Sequence, residues 1–485
     1  MLDYDAQDAT ALAALVERGE VSAGELLDIA LERVQALNGE INAVVMLAEE
    51  VARRKIAEGL PEGPLRGVPF LLKDLGAEAV DYPCNNGSRL FAGTRYGQDS
   101  AIYARLAAMG LVVFGRTTAP EGGIGPATEA AVYGGPTRNP WDLSRTPGGS
   151  SGGAGAAVAA GIVPAAHGSD GGGSVRIPAS NCGLFGLKAT RARLPDGPYV
   201  GEGWAGMAID GFLTRSVRDS AVLLDGTHGA DLGAPYRAPP LRGTFRAAIE
   251  QAPGPLRIAL CDTTFTGAPV HPECRRAVLD AAALLEEMGH HVVPARPVAA
   301  DTAGMMRAWT DIVACGAALS VRKAVAARGR PLAEGEVEGV TRGAIAHAAQ
   351  VTGDRYLECV NIVHAYGRSM EAFMLDHDIL LSPTMAEPPA PIGRFGHGTE
   401  DYVGYRTGPE GVFAYSPFTA AFNASGQPAA TVPLHWTEAG LPVGVHLAAR
   451  FGEDERLMSL CAELERARPW FGRRPPLMRP VEAGS

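Results

Sequence analysis

The sequence predicts a large α/β fold with helices on both faces of one sheet, an α/β/α sandwich, and three observations carry that reading. LRIALC (256–261) has the look of a buried strand, 272–288 of a helix opened by proline and closed at Gly289, and HHVVPA (290–295) of a second strand. Strand, helix, strand in that order pairs in parallel. Apolar runs of strand length recur elsewhere, separated by helical patterning. Finally, a chain of 485 residues that is 46% hydrophobic and 20% charged has the size and composition of a globular enzyme with a large core.

Taken in order, residues 1–60 read as a helical arm, in which Ser22 and Glu25 form a capping box opening VSAGELLDIALERVQAL. The remainder, 61–485, reads as one domain with no internal repeat. GVPFLLKDL (67–75) is an apolar strand broken by one lysine, and LAAMGLVVFGRT (106–117) is a helix end capped by Gly110 and then a buried strand. From 122 to 186 glycine is so dense that the backbone itself must be what the segment supplies. A proline-rich surface connection (233–255) precedes the strand–helix–strand unit, and about 300–375 is mainly helical. DILLSPT (378–384) and PAATVPL (428–434) return to strands, and EDERLMSLCAELERA closes as a helix.

The formal charge of -11 argues against nonspecific nucleic-acid binding, which needs cations to neutralise phosphates. Seven scattered cysteines without a CxxC pair point to a reducing compartment and no structural zinc. The acidic opening MLDYDAQDATALAAL lacks the basic and apolar regions of a signal peptide, and no apolar run reaches the roughly 18 residues of a spanning helix. The expectation is a soluble cytoplasmic protein, monomer or homodimer, acting on a small molecule without a membrane partner.

Two serine-glycine segments carry the chemistry. In RTPGGSSGGAGAAVAAG (145–161), Gly149-Ser150-Ser151-Gly152-Gly153 fits GxSxG, which would make Ser151 the nucleophile of a strand-turn-helix elbow. That elbow should follow a strand, but TRNPWDLSRTPGG is turn-like, and none of the eleven histidines sits in a glycine-bounded context. Ser320 and Lys323 match SxxK without an accompanying KTG or SDN, and neither GxGxxG, a P-loop nor HExxH occurs, so no metal or cofactor is expected. A second constellation fits better. Burial in an apolar strand would disfavour the charged form of Lys73 and make it a base, against the plainer alternative of a pair with Asp74. In GSDGGGSVRIPAS (168–180), Gly171, Gly172 and Gly173 directly precede Ser174, so backbone N–H groups can converge on an oxyanion.

The run GGSSGGAGAAVAAGIVPAAHGSDGGGSVRIPASNCGLFGLK (148–188) resembles the amidase signature. Counterparts of GVPFLLKD, PEGGIGPATEAAVYGGPTRNPW, DGFLTRSVRD, DILLSPT and NASGQPAATVP follow in the expected order, with the signature core at about 67–225. The resemblance implies an α/β/α sandwich around a large mixed sheet and a Ser-cisSer-Lys triad. By motif, the lysine is Lys73, the relay serine Ser150 after a cis Gly149–Ser150 peptide, and the nucleophile Ser174, the two serines 24 positions apart as in the family. It implies an oxyanion hole from the backbone of Gly171, Gly172, Gly173 and Ser174, with Asp170 and Arg176 bracing the loop as an ion pair.

Length and pattern are most similar to members that hydrolyse nylon-type oligomers such as the 6-aminohexanoate cyclic dimer, and to environmental amidases that also cleave urethanes. The substrate implied is a small or oligomeric amide, with carbamates open to the same triad. Gly123, Ile124 and Gly125 of PEGGIG, together with Gly149 and Cys315, are the pocket candidates. Apolar Ile124 stands where a cyclic-dimer hydrolase is expected to offer a polar group. Trp204, Met207 and Phe212 suggest a roomy wall, against the alternative that they are core. Amidotransferase A-type subunits resemble the chain too, but FAYSPFTAAFNASGQP has Ser416-Pro417 and no acid where those subunits hold glutamine's amino group.

Overall fold

In a computed structural model describing residues 2–478, the backbone forms eleven strands: β1 (Val44–Val45), β2 (Pro69–Lys73), β3 (Val112–Thr117), β4 (Ala165–Asp170), β5 (Phe185–Lys188), β6 (Ile209–Thr214), β7 (Arg257–Leu260), β8 (His291–Pro294), β9 (Ile379–Pro383), β10 (Ala429–Trp436) and β11 (Pro442–Ala449). They make one mixed sheet in the order β1-β3-β2-β4-β6-β5-β10-β11-β9-β7-β8. The unit predicted from 256–295 is parallel, with Ile258 opposite Val292. Parallel pairing also joins β2 to β3 and β4. From β4 through β6, β5, β10 and β11 to β9 the ladder is antiparallel.

Strand alternation sorts side chains into layers. Phe70 and Leu72 of β2 join one core layer, with Leu12, Phe212 and Leu447. Leu71 points to the other face, where it packs with Phe114, Ala156 and Val158. Further along that second face, helices Thr302–Arg328 and Gly353–Phe373 bring Trp309, Val363 and Tyr366 against Leu380 and Ala448. Three layers result, helices over sheet over helices.

The amino-terminal segment contains helices Ala9–Glu17, Ala23–Ile41 and Glu49–Glu58. The Ser22–Glu25 capping box is formed. The segment is not helical throughout, because Val44 and Val45 add an edge strand to β3. Asp219 anchors it by accepting from the N–H groups of Ala9 (2.7 Å) and Thr10 (2.9 Å) at the start of the first helix.

Candidate active site

Lys73 is the last residue of β2 and, two positions on from Leu71, shares its side of the strand, the second face. Its side chain is fully buried, and Nζ lies 2.7 Å from Ser150 Oγ and 2.9 Å from Ser169 Oγ. Asp74 is not its partner. That carboxylate accepts instead from the Asn85 N–H (2.7 Å) and the Tyr133 hydroxyl (2.5 Å). Burial, opposed by the more distant charges of Asp210 and Asp170, brings the Lys73 amine down to about 7. His167 fixes the strand end: its Nδ1 accepts from the Lys73 N–H at 3.3 Å, so the ring proton sits on Nε2, 3.1 Å from Asp210.

The Gly149–Ser150 peptide is cis, and helix Gly152–Ala159 begins just beyond it. A methyl group at Gly149 would sit 2.8 Å from the backbone of Ala127, so this turn is packed to the limit. The adjacent serines divide their roles. Ser150 Oγ turns to Lys73, whereas Ser151 Oγ is buried and bonds the backbone N–H and carbonyl of Ser169, each at 3.2 Å. Ser151 is thus a brace between the turn and β4.

Beyond β4 the chain enters Gly171-Gly172-Gly173-Ser174. Asp170 organises this loop from within: its carboxylate accepts from the N–H groups of Gly173 (2.7 Å) and Val175 (3.1 Å), from Arg176 Nη2 at 2.9 Å and from Asn423 Nδ2 at 2.9 Å. Asp170 and Arg176 are both fully buried, and this pairing holds the carboxyl well below the usual carboxylate range despite its burial. One oxyanion expectation is corrected here. The Gly173 N–H is committed to Asp170, leaving Gly171, Gly172 and Ser174 as the donors without a protein acceptor among the described residues. Trp309 Nε1 donates to the Gly171 carbonyl (3.1 Å) and Thr419 Oγ1 to the Gly172 carbonyl (2.7 Å). Because each peptide is planar and trans, holding a carbonyl also fixes the N–H on its far side.

Two stability predictions follow from this packing. Gly173 has φ of +127°, and an added Cβ would overlap Thr419 Oγ1 and lie 2.6 Å from Thr419 Cβ. Gly173→Ala is expected to lower unfolding stability by at least about 1–3 kcal/mol in urea titration. Asp170→Ala strands a buried guanidinium and is expected to cost about 3–5 kcal/mol in the same measurement.

Ser150, Ser169, Gly171 and Ser174 open onto one cavity of about 360 Å³, with Gly123, Ile124 and Trp204 on its walls, a size suited to a small organic molecule. Glu78, Asp196 and Asp210 border it too. A smaller chamber of about 20 Å³ adjoins it at Ser174 and is walled by Gly125, Gly172, Arg406 and Ser416. Of the pocket candidates, Gly125 reaches only the smaller chamber, and two reach neither space. Gly149 is packed on Ala127, and Cys315, although on helix Thr302–Arg328, leaves the wall to Gly316, Ala317, Ser320 and Val321. Met207 and Phe212 are core residues, and of the three wall candidates Trp204 alone borders the cavity. Sequence reasoning missed Ser169, Trp309 and Thr419. The signal for Ser169 was its place in HGSD, at the entry to the glycine run that leads to Ser174. Among the described residues no group of three or more His, Cys, Asp or Glu is placed to hold a metal, and no helix is long and apolar enough to cross a membrane.

A buried lysine whose amine is brought down to about 7 thus stands against a serine, with a second serine after a glycine run on the same cavity, an arrangement compatible with an amide-hydrolysing enzyme. The comparisons agree: the family model described as "Amidase" matches residues 25–458, and the chain belongs to that family. It is 39% identical to 6-aminohexanoate-cyclic-dimer hydrolase of Paenarthrobacter ureafaciens, over 98% of this chain and 97% of that one. It is 35% identical to an acylamidase of Rhodococcus erythropolis, over 96% of each chain. A solved structure of 6-aminohexanoate cyclic dimer hydrolase complexed with substrate superposes with a TM-score of 0.92 at 37% identity, covering 99% of this chain and 100% of that one. The protein is an amide-hydrolysing enzyme.

Proposed function

We propose that the protein cleaves small or oligomeric amides through an acyl-enzyme on Ser174, with Ser150 and neutral Lys73 as the proton relay. The observation that carries this is Lys73 Nζ at 2.7 Å from Ser150 Oγ, buried and without a carboxylate partner. Ser174 Oγ attacks the carbonyl carbon while its proton passes to Ser150 and that of Ser150 to Lys73. The N–H groups of Gly171, Gly172 and Ser174 receive the oxyanion. The C–N bond then breaks, the relay returns the proton to the leaving nitrogen, and the amine departs. Water attacks the ester along the same relay, releasing carboxylate and restoring Ser174. Among the described residues the Ser150 and Ser174 hydroxyls make no direct hydrogen bond, so this reading requires the Ser174 hydroxyl to turn to Ser150 when substrate is bound.

The 360 Å³ cavity with Ile124 and Trp204 on its walls supports tolerance for alkyl and aryl groups. Carbamates offer the same carbonyl and amine leaving group, although the extra oxygen deactivates the carbonyl and slows attack. A cyclic-dimer hydrolase is the second reading, favoured by the similarity to that enzyme and opposed by apolar Ile124. An amidotransferase subunit is the third, and copurification of a partner on coexpression would favour it. A reducing, cytoplasmic location accords with seven free cysteines. The test is aniline release from an acyl anilide and from a carbamate of the same aniline, with Ser174→Ala as control. Release from both by wild type and from neither by the variant is the expected result; no release by wild type removes the broad-pocket reading.

A further inference from the structure

Five arginines are buried among the described residues: Arg116, Arg176, Arg193, Arg215 and Arg406. Four are partnered by the protein. Arg116 donates to the carbonyls of Lys73, Gly76, Ala77 and Tyr82, Arg176 to Asp170 and Asn423, Arg193 to Asp454, and Arg215 to the carbonyl of Asp5. Arg406 is the exception. Only 2% of it is exposed, its Nε and Nη2 have no hydrogen-bond partner, and although the neutral Tyr402 hydroxyl lies near it, no carboxylate pairs with it among the described residues. A guanidinium does not shed its charge, so burying it unpaired is costly unless something outside the chain completes it.

Its position narrows what that is. Arg406 lies in helix Tyr402–Thr407, with the rings of Trp309, Tyr402 and Tyr405 centred 4.9, 5.5 and 5.7 Å from its Cζ. These aromatic contacts hold the guanidinium in place without giving it an anion. It borders the chamber of about 20 Å³ that Ser174 and Gly172 also line. Such a chamber has room for about one water-sized atom, so an anionic oxygen fits and a ring or alkyl chain does not. An oxygen entering beside Ser174 belongs to a group only a few bonds from the carbonyl that Ser174 meets.

We infer that Arg406 is a specificity residue for a carboxylate carried by the substrate close to the scissile amide. The class so defined comprises half-amides of short dicarboxylic acids, where the carboxylate is on the acyl side, and N-acyl amino acids, where it is on the amine side. This rests on the assignment of Ser174 made above. A single water in the chamber is the rival occupant and predicts no preference for charge.

Two isosteric pairs test it. On the acyl side, kcat/KM is compared for the monoanilide of succinic acid and the anilide of 4-oxopentanoic acid; on the amine side, for N-acetyl-2-aminobenzoate and N-(2-acetylphenyl)acetamide. Wild type is expected to favour the anionic member of one pair by about tenfold to a hundredfold, the range for a hydrogen bond to a charged group. In Arg406→Met that ratio should collapse to near one, and Arg406→Lys should restore part of it. Equal rates within both pairs for wild type, or an Arg406→Met loss that falls alike on both members, would overturn the inference. Calorimetric binding of the same compounds to Ser174→Ala, with and without Arg406→Met, separates it from the Ser174 reading. Charge-selective binding that disappears with Arg406→Met upholds the carboxylate site even if Ser174→Ala retains turnover, and equal affinities overturn it even if Ser174→Ala is inactive.

Discussion

Ser174→Ala is expected to lower kcat/KM by about 10⁴–10⁶-fold with its folding intact, the scale seen when a serine nucleophile is removed and only binding and oxyanion contacts remain. The variant should keep its stability because the Ser174 side chain makes no hydrogen bond to the rest of the protein among the described residues, while its backbone carbonyl, which accepts from the Ser151 N–H at 3.2 Å, is untouched. Ser151→Ala is the informative contrast. It deletes both 3.2 Å bonds to the Ser169 backbone, so it is expected to cost about 1–3 kcal/mol of stability while most of the turnover survives. If Ser151→Ala abolishes turnover in a folded protein and Ser174→Ala does not, the GxSxG reading is right and the triad is wrong. Progress curves and denaturant titrations on the two variants decide between them.

Those two serines also show how far the sequence could be read. That GxSxG lacked a preceding strand was legible, because TRNPWDLSRTPGG carries turn residues throughout, and the structure has short bridges and turns there. The strands richest in β-branched and aliphatic residues, such as β3, β7 and β9, declared themselves through unbroken apolar runs. Strands β4, β5 and β6 did not. AAHGSD, FGLK and IDGFLT mix glycine and polar residues with apolar ones, and only tertiary pairing makes them strands. Strand β11, PVGVHLAA, is buried along its whole length but follows a turn and reads equally as a short buried helix. Antiparallel order in the middle of the sheet was equally hidden, since it depends on which distant segments meet.

At the site, Lys73 stood out as the lone charge in an apolar run, and Ser150 and Ser174 through their glycine-rich context. What fixes them was not. Trp309, Thr419 and Asn423 come from helices some 135 residues or more beyond the loop they hold, and nothing local distinguishes them from core. The Gly173 N–H illustrates the converse: adjacency to Ser174 suggested an oxyanion donor, but Asp170 lies three residues earlier and captures it. The spacing that makes a tight, self-capped turn is also the spacing that removes a donor.

Activity is expected to rise tenfold per pH unit below about 7 and to level off above it, following the fraction of Lys73 that is neutral. The ordinary lysine value is 10.5, and burial lowers Lys73 to about 7, so the basic form needed to receive the Ser150 proton dominates only above that pH. Lys73→Met is expected to lower kcat/KM by about 10²–10⁴-fold, the scale of general base catalysis, and to erase the limb. Lys188 provides the control. It too is buried and brought down to about 7, but its Nζ donates to the Ala189 carbonyl and does not border the cavity, so Lys188→Met should retain the limb. Stability carries an independent signature with a definite sign. Between pH 7 and 10.5 the unfolded chain holds a proton on Lys73 that the folded chain has given up, so this group makes wild type more stable as pH rises through that window. The unfolding free energy of wild type minus that of Lys73→Met should therefore climb from pH 7 to 10.5 and be flat below 7. A flat difference across the whole range would mean that Lys73 is charged in the folded protein, and a charged lysine cannot serve as the base.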